Sequence, residues 1–418
     1  MPSPLITIEH WRPEDSRWNA EISAILQEFG APANPLMFPN HFLQATYPKI
    51  GGQAFCVRRA GERIACILLF PRGLSGARRV YTARFYARTE AVGVELRDVV
   101  ARVRRSYPDA DLVAYDPSAP QAYQASAIPA TAGIEIGRPD ATEARAARRL
   151  QQAIWKSSEK DLYPSDLYSQ AFRAATALVA RAGPRVAGFL FGFYKFAAPP
   201  LPSIWRRHEG QVRIESQVAG VDRELQGRGI GFLLKKTQAE EALREGIGVI
   251  NWTVDPLQKP NAQLNFGKLR AVSCRFYPNH YAFTNEKNQT PASRLEMTWL
   301  PATMRVQRAL ANERRRSVVL DLANDKSIAF LNDGFRPLAP PLEPPDRFAI
   351  EIPDDWTTLQ DEDIKAALKW RSTTDALLAA YLGPDEGRYM IADLGRLGAR
   401  WYLVAYRIGT AFREEAFT

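Results

Sequence analysis

The stretch VDRELQGRGIGFLLKKTQAEEAL, residues 221–243, places Gly227, Gly229 and Gly231 within five residues and then runs into a helical pattern. Upstream, VRIESQVAGVDRE (212–224) reads as a strand and its exit. Downstream, Leu233, Leu234, Thr237, Ala239 and Leu243 recur at helical spacing, with a stop at Gly246. The order is strand, glycine turn, helix. The first amides of a helix have no partner inside it and carry the positive end of its dipole, so they bind phosphate when no side chain intervenes. The three glycines clear that approach, although glycines in this order also serve a plain strand-to-helix turn. GxGxG fits neither a dinucleotide fingerprint nor a P-loop, whose Lys-Ser/Thr is missing.

Around this stretch lie 418 residues, 46% of them hydrophobic, which is too long for one ordinary core and apolar enough for two or more packed domains. No apolar run is long enough to span a bilayer, and MPSPLITIEHWRPEDS lacks the basic-then-apolar order of a secretory signal. A cytoplasmic protein with no membrane partner is expected. Cys56, Cys66 and Cys274, with four histidines, are too few and too scattered for a disulfide framework or a metal centre, so no metal is expected. The net charge of +9 suits an anionic ligand, a nucleic acid or solubility alone. Against nucleic acid, RRSYP (104–108) and NERRRS (312–317) are short, dispersed basic runs without a binding motif.

The chain also matches itself. GQAFCVRRAGERIACILLFPRG (52–73) alternates apolar and polar residues on both sides of AGER and reads as a hairpin, and TALVARAGPRVAGFLFGFYKF (176–196) does the same around AGPR. ADLVAYDPSAPQA (110–122) ends an apolar strand in Asp-Pro, as GVINWTVDPLQKPNA (248–262) does. Hairpin then Asp-Pro strand, twice in the same order, indicates an internal duplication. Between these markers the second copy carries the glycine segment, whereas the first carries VYTARFYARTEAVGVELRDVVARVRR (80–105), with one glycine. The first copy is expected to have kept the fold and lost the ligand loop.

Gln226, Gly229 and Gly231, after an apolar strand and before a helix, resemble motif A of the GNAT superfamily of acyl-CoA-dependent N-acyltransferases, Gln/Arg-x-x-Gly-x-Gly/Ala. The surrounding order agrees: helices near 144–154 and 166–174, the hairpin, the motif strand and helix, the strand at 248–256, then a helix over NAQLNFGKLRA (261–271). The resemblance covers about residues 134–300. WTVDPLQKPNAQLNFGKLRAV with YPNHY and TPASRLEMTW is similar to a narrower branch associated with N-succinyl amino acid racemases as amino acid N-succinyltransferases, and IEIPDDWTTLQDEDIKAALKWRSTTDALLAAYL (350–382) resembles that branch's tail, read as a helix pair with a final strand near 401–407.

The resemblance implies an α+β protein of tandem GNAT-like units, each a mixed, mainly antiparallel central sheet with helices on both faces. It sets the segments at 1–130 (degenerate unit), 131–301 (catalytic unit with the CoA site) and 302–418 (C-terminal segment). The first unit is left to complete the acceptor pocket or to form a homodimer surface. The cosubstrate is a coenzyme A thioester, acetyl-CoA or succinyl-CoA. Val218, Ala219, Gly220 and Val221 would face its pantetheine arm, and the amides of Gln226, Gly227, Arg228, Gly229, Ile230, Gly231 and Phe232 its pyrophosphate, with Asn261 and Phe266 on the following helix. Arg228, Lys235 and Lys236 could add charge, although the two lysines read first as a solvated helix face.

Transfer to an amine requires a base, an oxyanion donor and an acid for the thiolate. Glu215 is the candidate base, and the amide near Val218 or Ala219 the oxyanion donor. The family's usual acid, a tyrosine, is replaced by Phe266, which leaves Tyr277 or Tyr281. The branch's Ser-His is Ser216-Gln217 here, and its Pro-Thr-Asp-Arg is Pro291, Ala292, Ser293 and Arg294. Arg275 and Arg294 are the candidates to clamp a substrate carboxylate. The departures leave a second reading, a CoA-binding or metabolite-sensing protein without catalysis.

Overall fold

The computed structural model describes residues 6–88, 96–131, 133–196, 199–281, 289–311 and 316–410. The fold is α+β with mainly antiparallel sheets. Two compact units divide the chain, Met1–Ala198 with Gln211–Ala242, and Pro199–Gly210 with Leu243–Thr418. These are drawn elsewhere than the 1–130, 131–301 and 302–418 segments. In the first unit one aromatic core runs from Trp11 through Phe38, Phe70 and Tyr115 to Phe172 and Phe193, so the first copy and most of the second are packed as one body.

The first copy consists of β1 (Ile6–Trp11), α1 (Trp18–Phe29), β2 (Gln53–Arg59), β3 (Glu62–Ser75), β4 (Arg78–Ala87), α2 (Leu96–Ser106) and β5 (Ala110–Tyr115). Its five strands lie in chain order, antiparallel except for β4 and β5. The AGER hairpin closes on Ala60 and Gly61, with φ of 50° and 85°, the two positive values a turn of this twist needs. β4 and β5 pair without interruption from Arg79↔Ala110 to Arg84↔Tyr115, so nothing can lie between them.

The second copy begins with β6 (Ile128–Thr131), β7 (Ile134–Gly137), α3 (Ala141–Trp155), β8 (Thr176–Ala182), β9 (Arg185–Lys195), β10 (Arg213–Val221) and α4 (Ile230–Arg244), with β6 to β10 antiparallel in chain order. A capping box between Asp140 and Glu143 starts α3. The helix expected near 166–174 is instead a 3₁₀ turn, Ser165–Tyr168, after Pro164. There the Asp166 carboxylate is taken by Arg84 and Ser169 Oγ accepts from the Phe172 amide at 3.1 Å, bonds that compete with helix propagation. The AGPR hairpin closes on Gly183 (φ 57°) and Pro184.

The second unit holds β11 (Ile250–Val254), α5 (Lys259–Ala262), β12 (Val272–Tyr281), β13 (Ala292–Trp299), α6 (Met304–Leu310), the short β14 (Leu320–Asp321), β15 (Ile328–Phe330), β16 (Asn332–Asp333) and β17 (Arg336–Pro337), then β18 (Arg347–Ile352), α7 (Trp356–Glu362), α8 (Ile364–Tyr381), β19 (Tyr389–Leu397) and β20 (Arg400–Arg407). Its main sheet has the order β15-β18-β20-β19-β12-β13-β11. The helix pair and the final strand of the tail are α7, α8 and β20, whereas β19 was not legible in the sequence. The helix expected at 261–271 is a short α5 that widens into a π-helical turn, Gln263–Lys268. A Cβ on Gly267 would stand 1.9 Å from Ser317 Oγ, so the segment from Ser317 lies directly on that turn.

The duplication is visible in detail. In each copy the hairpin is followed by a strand, a helix and a strand ending in Asp-Pro. The amide of Ser118 donates to Asp116 Oδ1 at 2.8 Å and the amide of Leu257 to Asp255 Oδ1 at 2.9 Å, the same Asx turn twice. Among the described residues no helix is long and apolar enough to cross a membrane.

Candidate functional site

β10 pairs with β9 from Arg213↔Lys195 to Val221↔Gly188, with one interruption. Glu215 faces Phe193 and Val218 faces Phe191, so Ser216 and Gln217 stand against Gly192 alone. Such a bulge leaves backbone groups outside the ladder and re-aims its side chains. A Cβ on Gly192 would come within 2.7 Å of the Glu215 carbonyl oxygen and 3.2 Å of Ser216 Cα, so only glycine lets the strands close here.

Buried polar side chains surround the bulge. Lys195 Nζ donates to Glu215 Oε2 at 2.8 Å, with the side chains 2% and 10% exposed. Lys235 Nζ, on α4, donates to Ser216 Oγ at 2.7 Å and to Gln238 Oε1 at 3.3 Å. Ser216 Oγ donates to the same Gln238 oxygen at 2.9 Å, and Gln238 Nε2 to Thr176 Oγ1 at 2.9 Å. Burial lowers the Lys235 pKa to about 7, against the attraction of Glu215. Lys235 is therefore no part of a solvated face, because that side of α4 leans on the bulge; Lys236 is the half-exposed one, 4.0 Å from Glu240.

Gln217 reaches elsewhere. Its Nε2 donates to Tyr163 Oη at 2.8 Å, and that phenol lies 3.5 Å from Nε2 of His41. The His41 and Tyr163 rings meet edge to face at 5.9 Å. Val218 packs on the same aromatic core, whereas Ala219 is exposed.

Beyond Val221 the turn is tied down. The Asp222 amide donates to Ala187 O at 2.9 Å, Asp222 and Glu224 both hold Arg185, and Gln226 Nε2 donates to Val221 O at 3.3 Å. Gly227 and Gly229 have φ of 81° and 78°, the left-handed region where a side chain is strained. Nothing lies within 4 Å of a Cβ built on Gly227, and Arg228 is exposed beside it. Helix α4 then starts at Ile230, its first turn closed by the Leu233 amide on Gly229 O at 3.0 Å. The leading amides point where the glycines leave the surface bare.

The remaining sequence candidates belong to the second unit. Asn261 is on α5, and Phe266 is buried in the π-helical turn. Tyr277 Oη donates to Glu296 Oε2 at 3.0 Å, and Arg275 Nε is 3.8 Å from the other oxygen of that carboxylate while its Nη2 donates to Pro200 O at 2.8 Å. Arg294 donates to Ser293 O at 2.9 Å and lies 3.8 Å from Asp255. Tyr277 and Arg275 thus share Glu296, and both arginines already face carboxylates of the chain. Tyr281 closes β12, where its backbone pairs with Ala292. Asp255 is also held by buried Arg371 at 2.6 Å. Among the described residues no three of His, Cys, Asp and Glu converge as around a metal ion.

The sequence reading missed His41, Tyr163, Lys195 and Gln238. None belongs to a motif, and the one signal for them was apolar periodicity around residues that turn out to be buried and polar.

No family model matches the chain, and no curated protein does. Solved structures do match in part. Ard1 from Thermoplasma volcanium is 12% identical, over 40% of this chain and 98% of its own, with a TM-score of 0.31. An acetyltransferase of the GNAT family from Streptococcus pneumoniae is 15% identical over 40% and 98%, with a TM-score of 0.30. Arabidopsis thaliana NAA60, in complex with acetyl-CoA, is 12% identical over 40% and 99%, with a TM-score of 0.31. At these TM-scores the likeness assigns no activity to this chain.

Proposed function

We propose that the chain is an N-acyltransferase of the GNAT type, moving an acetyl or succinyl group from a CoA thioester to a primary amine, with amino acids among the acceptors. The observation that supports this reading is the run from the β10 bulge through the Gly227 and Gly229 turn to the start of α4. In it, Val218, Ala219, Gly220 and Val221 offer strand backbone to a pantetheine arm, and the amides from Gln226 to Phe232 offer donors to a pyrophosphate. An amide freed by the bulge, near Val218 or Ala219, meets the oxyanion that forms as the amine attacks the thioester carbonyl. The amine must first lose a proton, which Glu215 takes with Lys195 fixing its Oε2. Collapse of the tetrahedral intermediate breaks the C–S bond, and the thiolate takes a proton from Tyr277 or Tyr281, since Phe266 has none to give. Asn261 and Phe266 would line the cofactor, and Arg275 or Arg294 would receive an acidic acyl or acceptor group.

One observation favours the second reading, CoA binding without catalysis: Glu215 and Tyr277 are each already bonded to a charged group of the chain. Glu215→Gln separates the two, since turnover falls only if the carboxylate works.

Calorimetric titration with acetyl-CoA and with succinyl-CoA tests the reading, on the unaltered chain and on Gly229→Glu, whose carboxylate would repel the pyrophosphate. Binding that Gly229→Glu abolishes is the expected result. No binding of either thioester by the unaltered chain would leave the glycines as a turn and sink the proposal.

A further inference from the structure

The bulge aims a second side chain whose orientation is fixed by its partners. Gln217 is the residue just before Val218, half-buried, with its Nε2 2.8 Å from Tyr163 Oη. An amide nitrogen only donates, so the phenol oxygen is the acceptor in that bond. His41 Nε2 lies 3.5 Å from the same phenol oxygen, at the long end of hydrogen-bonding range. Burial lowers the pKa of His41 and so favours the neutral ring, which has one nitrogen able to accept. Gln217 thus donates to Tyr163, and His41 stands on the far side of the same phenol, the direction of that second contact being set by the His41 tautomer. A carboxamide whose nitrogen is committed has its oxygen turned to the opposite side.

We infer that Gln217 presents its Oε1 to the acceptor amine beside the bulge, and that Tyr163 and His41 are positioning residues which hold the carboxamide in that orientation. This rests on the acyltransferase reading and deepens it by assigning the amine its first neutral acceptor. An ammonium or amine has N–H donors to satisfy, and an uncharged oxygen can hold it without stabilising the charged form as strongly as a carboxylate would. Gln217 orients the substrate while leaving proton removal to another group. The first copy of the duplication then contributes His41 to a site in the second, a role that its own closed β4 and β5 pairing does not allow it to fill with a cofactor.

A flipped carboxamide offers a donor where the amine needs an acceptor, whereas a carboxylate has the same chemistry on both oxygens and cannot be flipped into the wrong state. This makes a rescue experiment. Steady-state kinetics with an acyl-CoA and a primary amine would be compared for the unaltered chain, Tyr163→Phe, and Tyr163→Phe combined with Gln217→Glu. Tyr163→Phe is expected to raise KM for the amine about tenfold, the equivalent of one neutral hydrogen bond, with KM for the acyl-CoA unchanged. The added Gln217→Glu is expected to restore the amine KM, which a packing role for Tyr163 would not allow. Intact CoA binding with an amine KM that Tyr163→Phe leaves unmoved, or that Gln217→Glu fails to rescue, overturns this inference alone. Absence of CoA binding in the unaltered chain, read by calorimetry on the same samples, overturns the acyltransferase reading and this one with it.

Discussion

Lys235 Nζ lies 2.7 Å from Ser216 Oγ, tying helix α4 to the bulged strand in front of it through a buried lysine. Burial lowers its pKa from 10.5 to about 7. Between these values the unfolded chain holds a proton that the folded chain has released, so stability rises with pH across that window. Replacing Lys235 with Met removes that contribution. Urea melts at about pH 7 and about pH 9.5 should show a stability gain in the unaltered chain that is smaller in Lys235→Met. Equal gains would mean that Lys235 is protonated in the fold.

Gly192→Ala tests the bulge. Its Cβ, 2.7 Å from the Glu215 carbonyl oxygen, forces β9 and β10 apart and costs about 1–3 kcal/mol in stability. Turnover should fall further than CoA affinity, because the added methyl displaces Ser216 and Gln217 while leaving Gly227 and Gly229 alone. The ratio of kcat to calorimetric affinity decides it; a parallel fall in both would mean the bulge only supports the fold.

Arg84 has no exposed surface and binds Asp166 through two nitrogens, one at 3.0 Å, amid Phe38, Tyr86, Tyr115 and Phe172. Asp166→Asn leaves a buried guanidinium without its counter-charge, for a loss of about 3–5 kcal/mol. Adding Arg84→Met should recover part of that loss, since the charge to be compensated is gone. The midpoints of urea unfolding report both values, and strictly additive losses would contradict the pairing.

Asp375, on α8, accepts from Ser293 Oγ at 2.5 Å and sits 3.8 Å from Arg371. Burial raises its pKa from 3.8 to about 6. Across that interval the folded chain binds a proton that the unfolded chain has lost, so this group lowers stability as pH rises. Asp375→Asn removes that contribution, so between about pH 4 and pH 6 stability measured by thermal melting should rise more with pH, or fall less, than in the unaltered chain. An unchanged slope would show that Asp375 is ionised there.

What the sequence determined is what local physics determines. The hairpins around AGER and AGPR with strand alternation on either side, the two strands that end in Asp-Pro and the glycines before α4 depend on residues next to one another, and each is legible in the string. The duplication follows, because two local patterns in the same order are still local information. The structure departs from the local reading where a buried polar side chain has to find its partner. Arg84 meets Asp166 from 82 residues away, Gln217 meets Tyr163 from 54, and Lys235, which the helical pattern put in water, is buried against Ser216. Periodicity fixes which face of an element is apolar, but leaving a polar group unpaired in the interior is so costly that its partner is chosen by which elements pack together. Only the tertiary structure makes that choice, and at the β10 bulge it brings Gln217, Tyr163 and His41 together.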